Sequence, residues 1–128
     1  MTKRILIVED NADIRMLIRM TLEFEFYEIH EAANAQEGLD AVHRLQPELI
    51  LLDIMMPGEM DGLDLCRMVK NDPSLGSPQV VLLTARAQSK DIEEGMNAGA
   101  DAYLVKPFST RQLIATVDNL GLQSNEIT

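Results

Sequence analysis

Glu48-Leu-Ile-Leu-Leu-Asp53 sets four consecutive aliphatic side chains between two acids, and Ile54-Met-Met-Pro-Gly58 follows at once. A strand with one wet face alternates polar and apolar residues. A short run without alternation, stopped by Pro and Gly, is what a parallel strand covered on both faces requires. Arg4-Ile-Leu-Ile-Val8 and Gln79-Val-Val-Leu-Leu-Thr84 read the same way. Tyr27-Glu-Ile-His-Glu31 alternates more and reads as an edge strand, and Ala102-Tyr-Leu-Val105 supplies a fifth.

Helical spacing fills the gaps between these runs. Ile14, Leu17, Ile18 and Leu22 form one stripe, Ala35, Leu39 and Val42 a second, and Leu65, Cys66 and Val69 a third. Ile92 and Met96 mark a fourth helix, and Leu113, Ile114, Val117 and Leu120 a fifth. Ser109-Thr-Arg-Gln112 is a capping-box pattern, and Asn34-Ala-Gln-Glu37 a looser version. Gly99 and Gly121 fall where the fourth and fifth helices should stop. Strands alternating with helices in this way specify an open α/β sheet with right-handed crossovers. Residues 1–122 form the domain, and residues 123–128 are a polar tail or the start of a linker.

The 128 residues carry 11 Lys plus Arg against 21 Asp plus Glu, a net charge of 11 − 21 = −10. That length supports one well-buried core, and 46% hydrophobic residues argue against wholesale disorder. So acidic a chain repels phosphate backbones and anionic membranes, so no nucleic-acid or membrane binding is expected of this domain. The single cysteine, Cys66, excludes an internal disulfide and a cysteine-rich metal site, and its place on a stripe makes it a small core residue. No apolar stretch approaches the roughly eighteen residues of a membrane span, and a cytoplasmic location is expected.

Ligands of open α/β sheets sit at the carboxyl ends of the strands. Here those ends carry Glu9 and Asp10, Asp53, Thr84 and, after the last strand, Lys106. Each has an ordinary reading: Asp10 or Asn11 as a helix cap, Asp53 as a turn residue, Thr84 as a loop hydroxyl. Their convergence on one edge is harder to explain that way. Clustered carboxylates repel one another and persist where a hard cation neutralises them. Mg²⁺ suits such a site because it takes a few carboxylates and keeps positions for water or phosphate oxygens. Lys106 adds a positive charge suited to a phosphoryl group, and Thr84 a donor.

Ile7-Val-Glu-Asp10, Leu51-Leu-Asp-Ile-Met-Met-Pro-Gly58, Leu83-Thr-Ala-Arg86 and Gly99-Ala-Asp-Ala-Tyr-Leu-Val-Lys-Pro-Phe108 together resemble the receiver domain of bacterial two-component response regulators. The resemblance runs from about Lys3 to Leu120. It implies a flavodoxin-like (βα)5 three-layer sandwich whose five-stranded parallel sheet has the order 2-1-3-4-5. It implies a phosphorylation switch, with Asp53 accepting a phosphoryl group from a phosphohistidine on a sensor histidine kinase or histidine phosphotransfer protein. Asp10, Asp53 and the Met55 carbonyl would bind Mg²⁺ directly, and Glu9 mostly through water. Lys106 would pair with the phosphoryl oxygens, Thr84 would hydrogen-bond them, and Tyr103 would turn inward as the switch. The Lys106-Pro107 peptide bond is typically cis in such domains. The effect would pass to a downstream target protein or a fused output domain, with no enzymatic turnover beyond self-phosphorylation and slow autodephosphorylation.

Three readings compete with the switch. A haloacid dehalogenase-like phosphohydrolase would carry a second acid two residues past the nucleophile, where this chain has Met55. A pseudo-receiver, binding partners without phosphorylation, would be expected to lack a member of the acidic set, Thr84 or Lys106. A flavin site would need a phosphate-cradling loop where Glu9-Asp10 stand.

The chain also departs from the family pattern. Met56-Pro-Gly-Glu-Met-Asp-Gly62 has one residue too many, most simply Glu59, which is expected to be a solvated surface side chain. Ile92 and Ala102 replace charged residues, and Thr116 a common Arg, of the ion-paired dimer used by DNA-binding members. That dimer mode is therefore disfavoured, and the apolar-leaning face would suit another partner or another phosphorylation-dependent dimer. The resemblance implies that Met55 and Arg86 occupy the two positions that tune phosphoryl lifetime in the family. Met55 has no group to orient water, so a long-lived phospho form is expected.

Overall fold

A computed structural model describes residues 3–23, 25, 27–85 and 88–121. The chain alternates β1 (Arg4–Val8), α1 (Ala12–Glu23), β2 (Glu28–Ala32), α2 (Ala35–Leu45), β3 (Leu49–Asp53), α3 (Gly62–Asn71), β4 (Gln79–Thr84), α4 (Ser89–Asn97), β5 (Ala102–Val105) and α5 (Thr110–Asn119). A short 3₁₀ turn, Pro73–Leu75, precedes β4. The strands pair in parallel in the order β2-β1-β3-β4-β5, as the resemblance implied.

The unalternating runs are explained by what covers them. Leu6, Val8, Ile50, Leu52, Val80 and Leu82 point into a core shared with α2, α3 and the end of α4. Their neighbours Ile5, Ile7, Leu49, Leu51, Val81 and Leu83 point the other way, onto α1 and α5. Successive strand residues face opposite sides, so burial of both faces demands apolar residues at every position. β2 lies at the edge, as its alternation suggested. It begins one residue later than read, at Glu28, because pairing starts at Arg4↔Glu28, while Tyr27 is already buried under the sheet.

The helix starts match their caps. Asn11 Oδ1 accepts from the backbone N–H groups of Asp13 and Ile14. Ser109 and Gln112 exchange both capping-box bonds, at 3.0 and 2.8 Å. Asn34 Oδ1 accepts from Glu37 N, while the Glu37 carboxylate reaches back to Ala33 N. A capping box not read from the sequence joins Asp61 and Asp64 at the start of α3. Gly99 (φ 98°) and Gly121 (φ 76°) follow α4 and α5 in left-handed conformations.

Two stripes face differently from their reading. Ile92 and Met96 of α4 are 37% and 46% exposed, and the buried residues there are Gly95 and Ala98. A Cβ on Gly95 would lie 2.8 Å from Leu82 Cδ1 and 3.3 Å from Tyr103 Cε2, so α4 approaches the sheet through its smallest residue. Its larger apolar residues are thereby turned outward. Leu17 of α1 is likewise exposed, since Ile18 and Leu22 hold the inward face. Cys66 is buried, and burial pushes its thiol up to about 11. Arg86 and the tail 123–128 lie outside the described residues.

Candidate functional site

From β1 the chain crosses to β2 on one side, and from β2 it passes over to β3 on the other. The crevice above the carboxyl ends of β1 and β3 is where such a reversal opens a binding site. Glu9 and Asp10 follow β1 there, Asp53 ends β3, Thr84 ends β4, and Lys106 follows β5. All five residues read from the sequence as converging stand on this edge, and Arg86, expected to tune phosphoryl lifetime, lies outside the described residues.

Carboxylate oxygens of Glu9, Asp10 and Asp53 lie within 4.8 Å of one another. Glu9 and Asp53 are buried and Asp10 is exposed. Lys106 Nζ sits 2.6 Å from Glu9 Oε1 and 3.3 Å from Asp53 Oδ1, bridging β1 and β3 from beyond β5. The Lys106 backbone N–H donates to the Thr84 carbonyl at 2.7 Å, and the Lys106-Pro107 peptide is cis. Asp53 Oδ1 also accepts from Met55 N, and Glu9 Oε2 from Asn11 N. Thr84 is buried, whereas Met55 lies exposed at the mouth. Tyr103 is half-buried on β5, packed beside Gly95.

Burial pushes the Asp53 carboxyl up to about 7, helped by its hydrogen bond to Glu9, the charge of Glu9 and a hydrogen bond to Asp10, while the charge of Lys106 pulls it back. Burial alone would lower the Lys106 ammonium, yet Glu9 and Asp53 together hold it above its usual range. Glu9 Oε1 is buried without a hydrogen-bond partner among the described residues and faces the Lys106 ammonium at 2.6 Å. With Asp53 ionised as well, three carboxylates against one ammonium would leave two negative charges uncompensated at one crevice. An all-oxygen, doubly negative donor set with an under-satisfied buried oxygen fits a hard divalent cation.

The β3–α3 loop holds this arrangement from behind through a residue to which sequence reasoning gave no role. A Cβ at Gly62 would lie 2.1 Å from the Asp53 carbonyl oxygen and 2.8 Å from Ile54 Cα. Only a glycine lets α3 start against the backbone of β3, with Gly62 N donating to Ile54 O at 3.0 Å. A glycine as first helical residue was the available signal. Glu59 is exposed, as expected, and borders a cleft of about 480 Å³ shared with Asn34, Gln36, Pro57, Met60 and Met68. On the opposite flank, Ile14, Leu17, Ala85, Pro107 and Phe108 line an apolar groove of about 340 Å³ that reaches Lys106. Ala102 is half-buried, and the Thr116 hydroxyl donates back to Gln112 O of its own helix.

A five-stranded parallel sheet with three acids, a threonine and a lysine at its carboxyl edge is the arrangement that the resemblance to receiver domains implied. The response regulator receiver domain family matches residues 5–118, and the chain belongs to it. It is 38% identical over 117 residues to the DNA-binding response regulator MtrA of Mycobacterium tuberculosis strain H37Rv, covering 91% of this chain and 50% of that protein. The phosphate regulon transcriptional regulatory protein PhoB of Pseudomonas aeruginosa is 42% identical over 113 residues, 88% of this chain and 49% of that one. The chain thus spans about half the length of these relatives. Among solved structures, the chemotaxis response regulator CheY4 of Vibrio cholerae superposes with a TM-score of 0.87 at 28% identity, covering 94% of this chain and 99% of that one. The domain serves phosphorylation-dependent signalling in two-component systems. No helix among the described residues is long and apolar enough to cross a membrane.

Proposed function

We propose that Asp53 is the phosphoacceptor of a two-component phosphorelay, taking its phosphoryl group from a phosphohistidine on a sensor kinase or phosphotransfer protein. The observation that carries this reading is the Lys106 bridge: one ammonium within 3.3 Å of Asp53 and 2.6 Å of Glu9, inside an acid cluster that is otherwise unbalanced. Asp53 attacks phosphorus through a carboxylate oxygen. An O–P bond forms, the N–P bond breaks, and its electron pair leaves on the imidazole nitrogen. Such transfer depends on positioning and charge neutralisation far more than on covalent help.

Glu9, Asp10, Asp53 and the Met55 carbonyl are the groups that would hold Mg²⁺. When bound, Mg²⁺ neutralises charge on the transferring phosphoryl oxygens. Lys106 pairs with those oxygens from the β5 side, and Thr84 donates to them from the end of β4. Tyr103, beside α4 on β5, couples the event to the outward face of α4, where Ile92 and Met96 are exposed. A new charge at a strand end can bias such a packed element between two arrangements. The apolar groove beside Lys106 supports docking of the phosphodonor within reach of Asp53. The domain, residues 1–122, acts in the cytoplasm as a stoichiometric acceptor and passes its state to a target protein, a second copy or a fused output domain.

Intact mass after incubation with acetyl phosphate and Mg²⁺ tests the reading. The native chain should gain one phosphoryl group that Asp53→Asn does not gain and that EDTA prevents. No adduct, together with no Mg²⁺-dependent binding of beryllofluoride, would leave a pseudo-receiver. Met55, 55% exposed at the site mouth, also makes the lifetime testable. It crowds the approach of water without orienting it, so Met55→Asn should speed loss of the phosphoryl group several-fold. An unchanged or slower rate would refute the steric argument.

A further inference from the structure

Arg15 lies on the first turns of α1, six residues past Glu9, and was given no role by the sequence. Its Nη1 donates to the Glu9 backbone carbonyl at 2.6 Å, and its Nε to Glu31 Oε1 at 3.0 Å. Glu31, on β2, also takes Arg19 Nε, so the carboxylate that orients Arg15 is itself held from a second side. The Glu9 N–H in turn donates to Ala32 O at 3.0 Å, and Asn11 N donates to Glu9 Oε2 at 3.1 Å.

These bonds enclose Asp10. The carbonyl of the Glu9–Asp10 peptide is fixed by Arg15, and the N–H of the Asp10–Asn11 peptide by the Glu9 side chain. Asp10 itself is exposed, so packing does not choose its direction; the orientation of its flanking peptides does. Of these restraints, Arg15 is the one that can be removed without deleting a carboxylate of the cluster or a helix cap.

We propose that Arg15 is a positioning residue for the acid cluster: by gripping the Glu9 carbonyl it fixes the Glu9–Asp10 turn and thereby sets the affinity for Mg²⁺. The inference rests on reading the cluster as an Mg²⁺ site. The guanidinium makes a charge-assisted bond to a backbone carbonyl in a mostly buried setting, with its side chain 19% exposed. Released, the Glu9–Asp10 peptide can rotate and take the Asp10 carboxylate out of register with Asp53. Partners standing behind ligands in this way govern affinity without touching the ion.

Calorimetric titration of MgCl₂ into metal-stripped protein tests it, with unfolding temperatures in EDTA measured alongside. Arg15→Gln should weaken Mg²⁺ binding about tenfold, and Arg15→Lys, which keeps a donor, should recover part of the loss. Arg19→Gln breaks a neighbouring pair with the same Glu31 but does not touch Glu9. It should lower the unfolding temperature comparably and leave the Mg²⁺ affinity within about twofold. An unchanged affinity in Arg15→Gln, or an equal loss in Arg19→Gln, would overturn the positioning role. Failure of the native chain to bind Mg²⁺ any better than Asp10→Asn would instead remove the metal site itself, and the inference with it.

Discussion

Asp53→Asn is expected to abolish phosphorylation and yet make the metal-free domain more stable at pH 8. Asp53 is buried beside Glu9 and Asp10, and its carboxyl moves from an ordinary 3.8 to about 7. The native state therefore holds a proton that the unfolded chain has released over the interval between those values. Stability falls with rising pH wherever the native state binds more protons, so this contribution is full below about pH 4 and lost as pH passes 7. The displacement sets a ceiling of about 4 kcal/mol on the cost of ionising Asp53 in place. Asparagine keeps the shape, removes the charge, and leaves Lys106 its shorter contact to Glu9. In EDTA, the variant should unfold several degrees above the native chain at pH 8, and the gap should shrink at pH 5. Saturating Mg²⁺ should close it from the other side, by stabilising the native chain more than the variant. A variant equal to or less stable than the native chain at pH 8 would show that the cluster is not under like-charge strain.

Gly62→Ala should be the most damaging single methyl in the chain. The added carbon would sit 2.1 Å from the Asp53 carbonyl oxygen and 2.8 Å from the Asp53 carbonyl carbon. Both belong to backbone in the central strand, so no side-chain rotation relieves the overlap. Either α3 moves away, breaking the Gly62 N to Ile54 O bond, or β3 shifts at Asp53. A loss of about 3 kcal/mol is expected for such overpacking. In a domain of this size that lowers the unfolding temperature by roughly 10 °C. Gly58→Ala makes the useful contrast: no atom lies within 4 Å of its added carbon, although its φ of 113° carries some backbone strain. Were Gly62→Ala as stable as Gly58→Ala, the close approach of α3 to Asp53 would be wrong.

The strands were legible one by one because burial on both faces of a parallel sheet leaves no polar position to blur the pattern, as Leu49 to Leu52 and Val80 to Leu83 illustrate. The caps at Asn11, Asn34 and Ser109 were legible because a capping side chain bonds within a few residues of itself. The acids and Lys106 were legible as candidates because strand ends are where such sheets put chemistry. The strand order came from a resemblance, since local periodicity does not say which strand lies beside which.

What tertiary structure decided has a common physical cause: it depends on how closely two distant segments approach. The spacing of Ile92 and Met96 identified a helix, but Gly95 against Leu82 chose its inward face and turned both outward. Gly62 counts because Asp53 O is where its Cβ would be, and Arg15 because the Glu9 carbonyl lies 2.6 Å from its guanidinium. The raised Asp53 carboxyl likewise belongs to no residue alone. It arises when folding buries Asp53 at the end of β3 against Glu9 and Asp10 beyond β1, with one lysine carried in from beyond β5. Composition and order along the chain determined which groups were available to this site, and their separation across the sheet determined what charge and geometry they present.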